Sequence, residues 1–536
     1  MKVLVLGGYG VFGERVARLL ARDGHALIVA GRDSARAQAL AYELGAQALR
    51  FDRDADTGLL GTLGIDLLVD AAGPFQTYGE RPYALVEACL AAHVHYLDLA
   101  DDAGFCVGIA ALDTLARAQG CAALSGVSSV PAISAAAVRA LGCGLEQIES
   151  IDTAILPGNR APRGLSVMTS ILEQCGRMRR IWLDRGWRDM RGWSAPKLYR
   201  LGPFGQRRAY RIGVPDLDLF PPHFGAGSVS FRAGLELGVM SLSLAGFSRL
   251  RRRWPMPIQP GLVRLVRVFA DSLKHFGSDR GGMVVELIGR EPDQLEFERS
   301  LRRWTLLAER GDGPWVPAMP VRALLRKPLP PAGARPCLDA LELGELEAAM
   351  ADCSIRFERD SRALCALFAS VRGLDLSSLP APIRASHTVF HTRVLQGRAR
   401  VERGDGVLAR LLCGVFGFPA ATDDIEVEVE KTREDEAERW QRRFGTRCFH
   451  SRLRVVDGCL RERFGMFEFE LALNVSAEAL HFPVRRGWLL GLSLPGWLLP
   501  RSEAREYVEE GRFHFDVALD APLGIGRLVR YRGWLA

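Results

Sequence analysis

The sequence predicts an α/β protein: a doubly wound parallel sheet, then an α+β domain, then a carboxyl-terminal, mainly antiparallel β domain. Three observations carry this. Strand-like apolar runs alternate with helical stretches over the first 140 residues, a glycine-rich turn follows the first run, and apolar and polar residues alternate strictly beyond Arg398.

In the amino-terminal region strands are expected at Lys2–Leu6, Ala26–Ala30, Ala48–Phe51, Leu67–Ala71, His95–Leu99 and Cys121–Leu124. Helical periodicity fills Gly13–Arg22, Ser34–Leu44, Arg81–Ala92 and Val107–Gln119. Elements alternating at this spacing imply parallel strands joined by crossover helices.

At the first strand-to-helix turn stands Gly8-Tyr9-Gly10-Val11-Phe12-Gly13, a G-x-G-x-x-G. The pattern assigns Gly8 to the tight turn, Gly10 to close approach of a pyrophosphate and Gly13 to helix-on-strand packing. Amides at the start of the helix attract phosphate, helped by the helix dipole. With a strand before it and a helix after it, the motif marks residues 1–130 as a Rossmann-type nucleotide-binding domain.

The second strand ends Ala30-Gly31-Arg32, where NAD-binding domains usually place an acid for the ribose 2′-hydroxyl. Gly31 is expected to leave room for a 2′-phosphate, and Arg32 to pair with it or stack on adenine. NADP is therefore favoured over NAD. Asp33 reads either as a ribose ligand or as the N-cap of the next helix. Asp52, beyond the third strand, is either an adenine contact or a loop cap. None of the nine Tyr is followed by Lys four positions on, so the Tyr-x-x-x-Lys relay of short-chain dehydrogenases is missing.

The runs Ala72-Gly73-Pro74-Phe75 with Tyr78-Gly79, Cys89 with His95-Tyr96-Leu97-Asp98, and Gly126-Val127-Ser128-Ser129-Val130-Pro131 resemble the saccharopine dehydrogenase-like NADP-binding family. Arg163-Gly164 to Ser170, Gly281-Gly282-Met283, Trp304 with Gly313-Pro314, and Pro317-Ala318-Met319-Pro320 are similar to the same family. The resemblance spans roughly residues 1–358. It implies a nucleotide-binding domain and, over 131–358, an α+β substrate and dimerisation domain that closes over the nicotinamide and returns to the first layer near its end. It implies an NADP(H)-dependent oxidoreductase moving hydride to or from a C=O or C=N group. It supplies neither a substrate nor a shared catalytic residue.

Ligands of doubly wound sheets lie beyond the carboxyl ends of the strands. Ala72, Gly73 and Pro74 follow the fourth strand, where small residues let a nicotinamide ribose lie on backbone. Asp98, with Asp101 and Asp102, follows the fifth. Ser128 and Ser129 follow the sixth, ahead of a helix start at Pro131, and suit an anion or carbonyl. The candidates for proton transfer are Asp98, Tyr78 and His95. Each has a structural alternative: a turn cap, a packed ring, a core histidine.

Apolar residues at 48% and charged residues at 25% exclude a disordered tail or fibrous repeat. Lys+Arg total 70 against 63 Asp+Glu, a net +7, and only five of the 70 are Lys. That skew follows genome composition more simply than phosphate binding. Between Arg160 and Pro255, however, 18 basic residues face 6 acidic ones, a local net of +12. Trp182, Trp187 and Trp193 are interleaved with Arg179, Arg180, Arg185, Arg188 and Arg191, and Arg251-Arg252-Arg253-Trp254 follows the apolar run Leu237–Ser248. The block reads as a funnel for an anionic or lipid-like small molecule, as peripheral contact with anionic lipid, or as a solvated face. Nucleic acid is not expected, because no recognition motif accompanies the charge.

The 11 Cys form no C-x-x-C pair, against both a disulfide framework and a Cys-rich zinc site. No basic, apolar leader precedes Lys2, so a cytoplasmic chain with reduced thiols is expected. The apolar runs Leu237–Ser248 and Gly487–Pro500 are shorter than the ~18 residues of a membrane span.

Near Arg356–Ser361 the texture changes. Ile425, Val427 and Val429 alternate with Glu426, Glu428 and Glu430; Phe467, Phe469 and Leu471 with Glu468, Glu470 and Ala472; and Phe513, Phe515 and Val517 with His514, Asp516 and Ala518. These are half-buried antiparallel strands of a curved sheet or partial barrel. Asp457-Gly458 suits a primed hairpin turn, and a helix is expected over Ser361–Val371. Residues 362–536, ending Leu528–Leu535, resemble a domain of unknown function often fused behind saccharopine dehydrogenase-like proteins. His387-x-x-x-His391 lacks a Glu and a third ligand, so no metal is expected. Trp488–Leu499 is expected to pack on the sheet, with an apolar pocket or a membrane or partner contact as alternatives. Two other readings of the whole chain stand beside the oxidoreductase: a catalytically silent NADP-binding protein, and a lipid-surface binding protein.

Overall fold

Strand β1 (Lys2–Leu6) is apolar from Val3 to Leu6 because both of its faces are covered: Val3 and Val5 enter one core cluster, Leu4 and Leu6 another. It pairs in parallel with β2 (Ala26–Gly31) and with β4 (Leu67–Asp70). β3 (Gln47–Arg50) extends the sheet beyond β2, and β5 (His95–Asp98) and β6 (Ala122–Ser125) extend it beyond β4. The chain turns back between β1 and β4, which creates the crevice where doubly wound sheets take ligands. Gly333–Pro336 joins the far edge in parallel with β6, Gly333 opposite Ala122 and Pro336 opposite Ser125.

The computed structural model describes residues 1–162, 164–476 and 479–536; Arg163, part of the resemblance above, lies outside them. They cluster into two units: Met1–Gly289 with Arg302–Ser361, and Arg290–Leu301 with Arg362–Ala536.

Helix α1 (Gly13–Arg22) follows β1, and α2 (Ser34–Leu44) follows β2. Asp33 caps α2, its carboxylate accepting the Arg36 amide at 3.1 Å. Helix α3 (Ala84–Ala91) precedes β5. The single helix expected over Val107–Gln119 is instead three pieces, α4 (Ala103–Gly108), a 3-10 turn at Ile109–Leu112 and α5 (Asp113–Ala118). Asp102 starts the first piece early by accepting the Phe105 amide at 2.9 Å. Likewise helix α6 (Ser134–Gly142) opens at Ser134 rather than Pro131, after a wide turn over Ser129–Ile133.

A second, mixed sheet of the same unit has Gln147–Leu156 at its centre, parallel to Ser228–Ala233. One of its faces, with Ile151, Phe231, Met283 and Trp304, shares the large core cluster that contains Val3, Val5 and α1. The other face holds Asp152 in a network with Lys197, Tyr199, Ser230 and Arg232.

In the carboxyl-terminal unit the described residues form one antiparallel sheet, with Thr392–Arg403 and Thr422–Glu434 near its middle. Val427 and Val429 are buried, as their alternation with glutamates requires. Asp457 (φ 54°) and Gly458 (φ 80°) link Val456 to its partner Cys459 in a primed turn. The helix expected over Ser361–Val371 is not formed. Ile355–Cys365 is a strand and Phe368–Ser370 a 3-10 turn, because Phe368 is drawn into the core against His387 and Trp440. Among the described residues no helix is long and apolar enough to cross a membrane.

Candidate functional site

The amides of Gly7 and Gly8 both donate to Ala30 O, at 2.9 and 3.2 Å, and Gly10 N donates to Gly7 O at 2.8 Å. The left-handed turn residue is Gly7 (φ 71°), not Gly8 as the motif suggested. A Cβ on Gly7 would stand 2.8 Å from Ala71 O, so β4 and not the phosphate loop alone demands this glycine. Gly8 is confined differently: its Cβ would meet Val5 O at 2.8 Å. A Cβ on Gly13 would collide with the Gly7 carbonyl, which seats α1 directly on the loop. The amides of Val11, Phe12 and Gly13 donate to no group among the described residues, leaving an anion-accepting helix start beside Gly10. Gly164 closes on it, since a Cβ there would lie 3.5 Å from Val11 Cγ2.

The space beside Gly31 is not left open. The Tyr9 ring fills it, and a Cβ on Gly31 would stand 2.5 Å from the Tyr9 hydroxyl. That hydroxyl accepts the Asp33 amide at 2.8 Å. Gly31 is therefore small for Tyr9 rather than for a phosphate. Arg36, which the sequence did not single out, covers the same ring at 4.7 Å and donates to Tyr9 O at 2.9 Å. Arg32 is exposed with no hydrogen bond or ion pair among the described residues. Asp52 accepts the Asp54 amide at 3.1 Å, so it caps its own turn.

Beyond β4, Ala72 donates its amide to Asp70 Oδ1 at 2.9 Å. Asp70 Oδ2 accepts the Tyr78 hydroxyl at 3.0 Å and the Tyr96 hydroxyl at 3.3 Å. Burial pushes the Asp70 carboxyl up, and burial together with Asp70 pushes the Tyr78 phenol up. Arg53 lies 3.3 Å over the Tyr78 ring, and Phe75 packs against that ring at 4.9 Å. The sequence did not single out Asp70, which lies inside the apolar strand expected over Leu67–Ala71. Gly73 and Pro74 follow it and lead into the 3-10 turn Phe75–Thr77.

Asp70 and Asp98 are register partners on neighbouring strands. Asp98 is fully buried; its Oδ1 accepts Ala100 N at 2.9 Å, Ser125 Oγ at 2.9 Å and Gly126 N at 2.8 Å. Its Oδ2 has no partner among the described residues. Burial outweighs the donors and pushes this carboxyl up to about 7. Ser128 is half-buried beyond β6, its amide donating to Gly126 O at 2.8 Å. Asp216, a residue the sequence did not flag, is buried beside Ser134, and burial pushes its carboxyl up to about 7 as well.

His95 belongs elsewhere. It opens β5 at the amino edge of the sheet, and its Nδ1 accepts the Ala122 amide at 3.0 Å. The strand direction that brings Asp98 to the crevice carries His95 away from it.

The basic middle divides by role. Arg251 is buried, donating to the carbonyls of Leu172, Glu173 and Cys175, while Arg232 and Arg207 are buried with Asp152 and Glu236. Arg180 pairs with Asp218 at 2.9 Å and covers Trp187 at 4.2 Å. Arg249, Arg252 and Arg253 are exposed on the helix Gly238–Arg253, together with Leu242 and Leu250. In the carboxyl-terminal unit His387 Nε2 pairs with Glu506.

Residues 3–123 match the family model of the saccharopine dehydrogenase NADP binding domain, and residues 379–535 match a domain of unknown function, DUF4166. Among solved structures the chain is similar to saccharopine dehydrogenase (L-Glu forming) from Saccharomyces cerevisiae, at 14% identity and TM-score 0.47, over 67% of this chain and 99% of that one. It is similar to GenD2 from gentamicin A biosynthesis, in complex with NAD, at 16% identity and TM-score 0.27, over 54% and 70%. Serine dehydrogenase from Escherichia coli is similar at 27% identity and TM-score 0.16, over 19% and 63%. No curated protein matches the chain.

Proposed function

We propose that this chain, which opens with a saccharopine dehydrogenase NADP binding domain and ends in a DUF4166 domain, is an NADP(H)-dependent oxidoreductase acting on a C=O or C=N group of a small molecule. The observation that carries the reading is a juxtaposition at the carboxyl edge of one sheet: a helix start whose amides lack acceptors, and a buried carboxyl with one oxygen unpartnered among the described residues. Gly10, Val11, Phe12 and Gly13 would hold the pyrophosphate, and Arg32 with Arg36 the 2′-phosphate. Ala72, Gly73 and Pro74 would carry the nicotinamide ribose on backbone. Bound NADP(H) supplies or takes up the hydride.

Asp98 is our choice for the proton. A carboxyl raised to about 7 carries its proton near neutrality and releases it at small cost, the condition for acid–base work. Tyr78 already donates its hydroxyl hydrogen to Asp70, and His95 stands at the other edge. In the reducing direction Asp98 would give its proton to the substrate's oxygen or nitrogen and would be reprotonated from solvent.

A second reading, NADP binding without turnover, is supported by the complete burial of Asp98. Fluorescence titration with NADPH and NADH, followed by NADPH oxidation against a panel of aldehydes, ketones and imines, tests both. Tight NADPH binding with formation of a reduced product, an alcohol or amine, that Asp98→Asn abolishes supports the enzyme. Binding with no turnover supports the silent form, and no binding of either nucleotide sinks both. Peripheral lipid contact through Gly238–Arg253 is tested by liposome co-sedimentation, which must weaken as salt rises.

A further inference from the structure

The DUF4166 sheet curves around a cavity of about 360 Å³, within the ~300–1,000 Å³ range of small-ligand pockets. The cavity opens to solvent on one side, so it is an accessible apolar pocket and not a sealed packing defect. Its walls are Phe444, Phe464, Phe469, Phe482, Phe515 and Tyr531, among other apolar side chains.

The charges that reach the cavity are matched. Arg442 pairs with Glu462 at 3.1 Å, and both bond Ser451. Glu506 is held by His387, with Lys431 beside it; Arg505 is half exposed to solvent and lies 3.6 Å from Asp516, whose closer partner is Arg530 at 2.7 Å. Arg505 keeps its charge toward solvent, and no unpaired buried charge is left among the described lining residues to recognise an ion, so burying an ionic ligand there would carry an uncompensated cost.

Two further apolar segments line the cavity. Leu412 and Phe416 come from the helix Val407–Phe416, and Leu494 and Leu498 from the Trp488–Leu499 run. The same segments expose Leu408, Leu411, Leu490, Leu492 (76% exposed) and Trp497 (66%). Large apolar side chains gathered beside an apolar chamber fit a rim over which a water-insoluble molecule enters.

We propose that this domain binds a neutral, elongated apolar molecule: a long aliphatic chain bearing at most one uncharged hydrogen-bonding group. The proposal is independent of the oxidoreductase reading, since it rests on residues 387–535 alone.

The test is titration of the full chain with the neutral fluorophore N-phenyl-1-naphthylamine. Saturable one-to-one binding is expected, displaced by 1-hexadecanol and weakened at least tenfold by Ala504→Trp, which fills the wall, and by Leu498→Glu, which charges the rim. If circular dichroism shows Ala504→Trp unfolded, Leu498→Glu decides alone. No saturable binding by the wild type, or wild-type affinity in the folded variants, overturns the proposal. Stronger displacement by hexadecanoate than by 1-hexadecanol overturns the assignment of a neutral ligand.

Discussion

Ser125 Oγ donates to Asp98 Oδ1 at 2.9 Å, tying β6 to β5 at the carboxyl edge of the parallel sheet. Two backbone amides join it on the same oxygen, and Oδ2 stays buried without a partner among the described residues. A carboxylate fully served by donors would be held low; one served on a single oxygen in a dry site is not.

The folded pKa of Asp98, about 7, lies above the ~3.9 of an unfolded Asp. The folded state therefore binds a proton that the unfolded state has lost between those values. Stability is fully present below ~pH 4 and falls as pH rises through about 7. Asp98→Asn keeps the accepting Oδ1 and cannot ionise. Urea midpoints at pH 5 and pH 8 should differ less in this variant than in the wild type. Asp216, raised likewise, retains part of the slope, and the double Asn variant should flatten it further. An unchanged gap between the two pH values would count against the buried-acid assignment.

Arg32 has no partner among the described residues, whereas Arg36 is committed to Tyr9. Arg32→Ala should weaken NADPH roughly ten- to hundredfold, the worth of a charge-assisted hydrogen bond, and NADH little. Arg36→Ala should weaken NADPH as well, by releasing the Tyr9 ring and one cation. Equal losses for NADPH and NADH in Arg32→Ala would refute its phosphate role.

Tyr78→Phe strips the nearer hydroxyl from the buried Asp70 carboxyl and leaves Tyr96 at 3.3 Å. The expected cost is about 1–3 kcal/mol in chemical denaturation. Tyr96→Phe, which removes the longer bond, should cost less.

A methyl group on Gly13 meets backbone, which cannot swing away as a side chain can. Gly13→Ala should lose about 1–3 kcal/mol and most NADPH binding. Gly58→Ala serves as the control: a Cβ there meets nothing within 4 Å, so stability and affinity should stay near wild type.

Local pattern reached far. β1 and α1 match their expected limits, and the Asp457-Gly458 turn follows from two residues that tolerate positive φ. Asp98 and the Gly73-Pro74 turn were legible because strand direction alone sends them to the carboxyl edge. Arg36 and Asp216 were not legible, for an arginine and an aspartate in the first turn of a helix look like ordinary helix residues. The apolar face of the carboxyl-terminal strands was readable, and an apolar pocket at Trp488–Leu499 stood among the alternatives; that Phe444, Phe515 and Tyr531 line one open cavity with Leu494 and Leu498 was not.

The amino-acid sequence by itself determined the elements whose cause lies within a few residues: apolar period, turn chemistry, caps and the glycine run that opens α1. Only the tertiary structure decided what each small residue is small for and which oxygen is left over. Gly31 yields to Tyr9, 22 positions earlier, Asp98 is satisfied on one side by Ser125 and Gly126, and Gly333–Pro336 returns to β6 from some two hundred residues away. Voids and unpaired atoms are properties of side chains brought together by the whole fold, and periodicity along the chain carries no record of them.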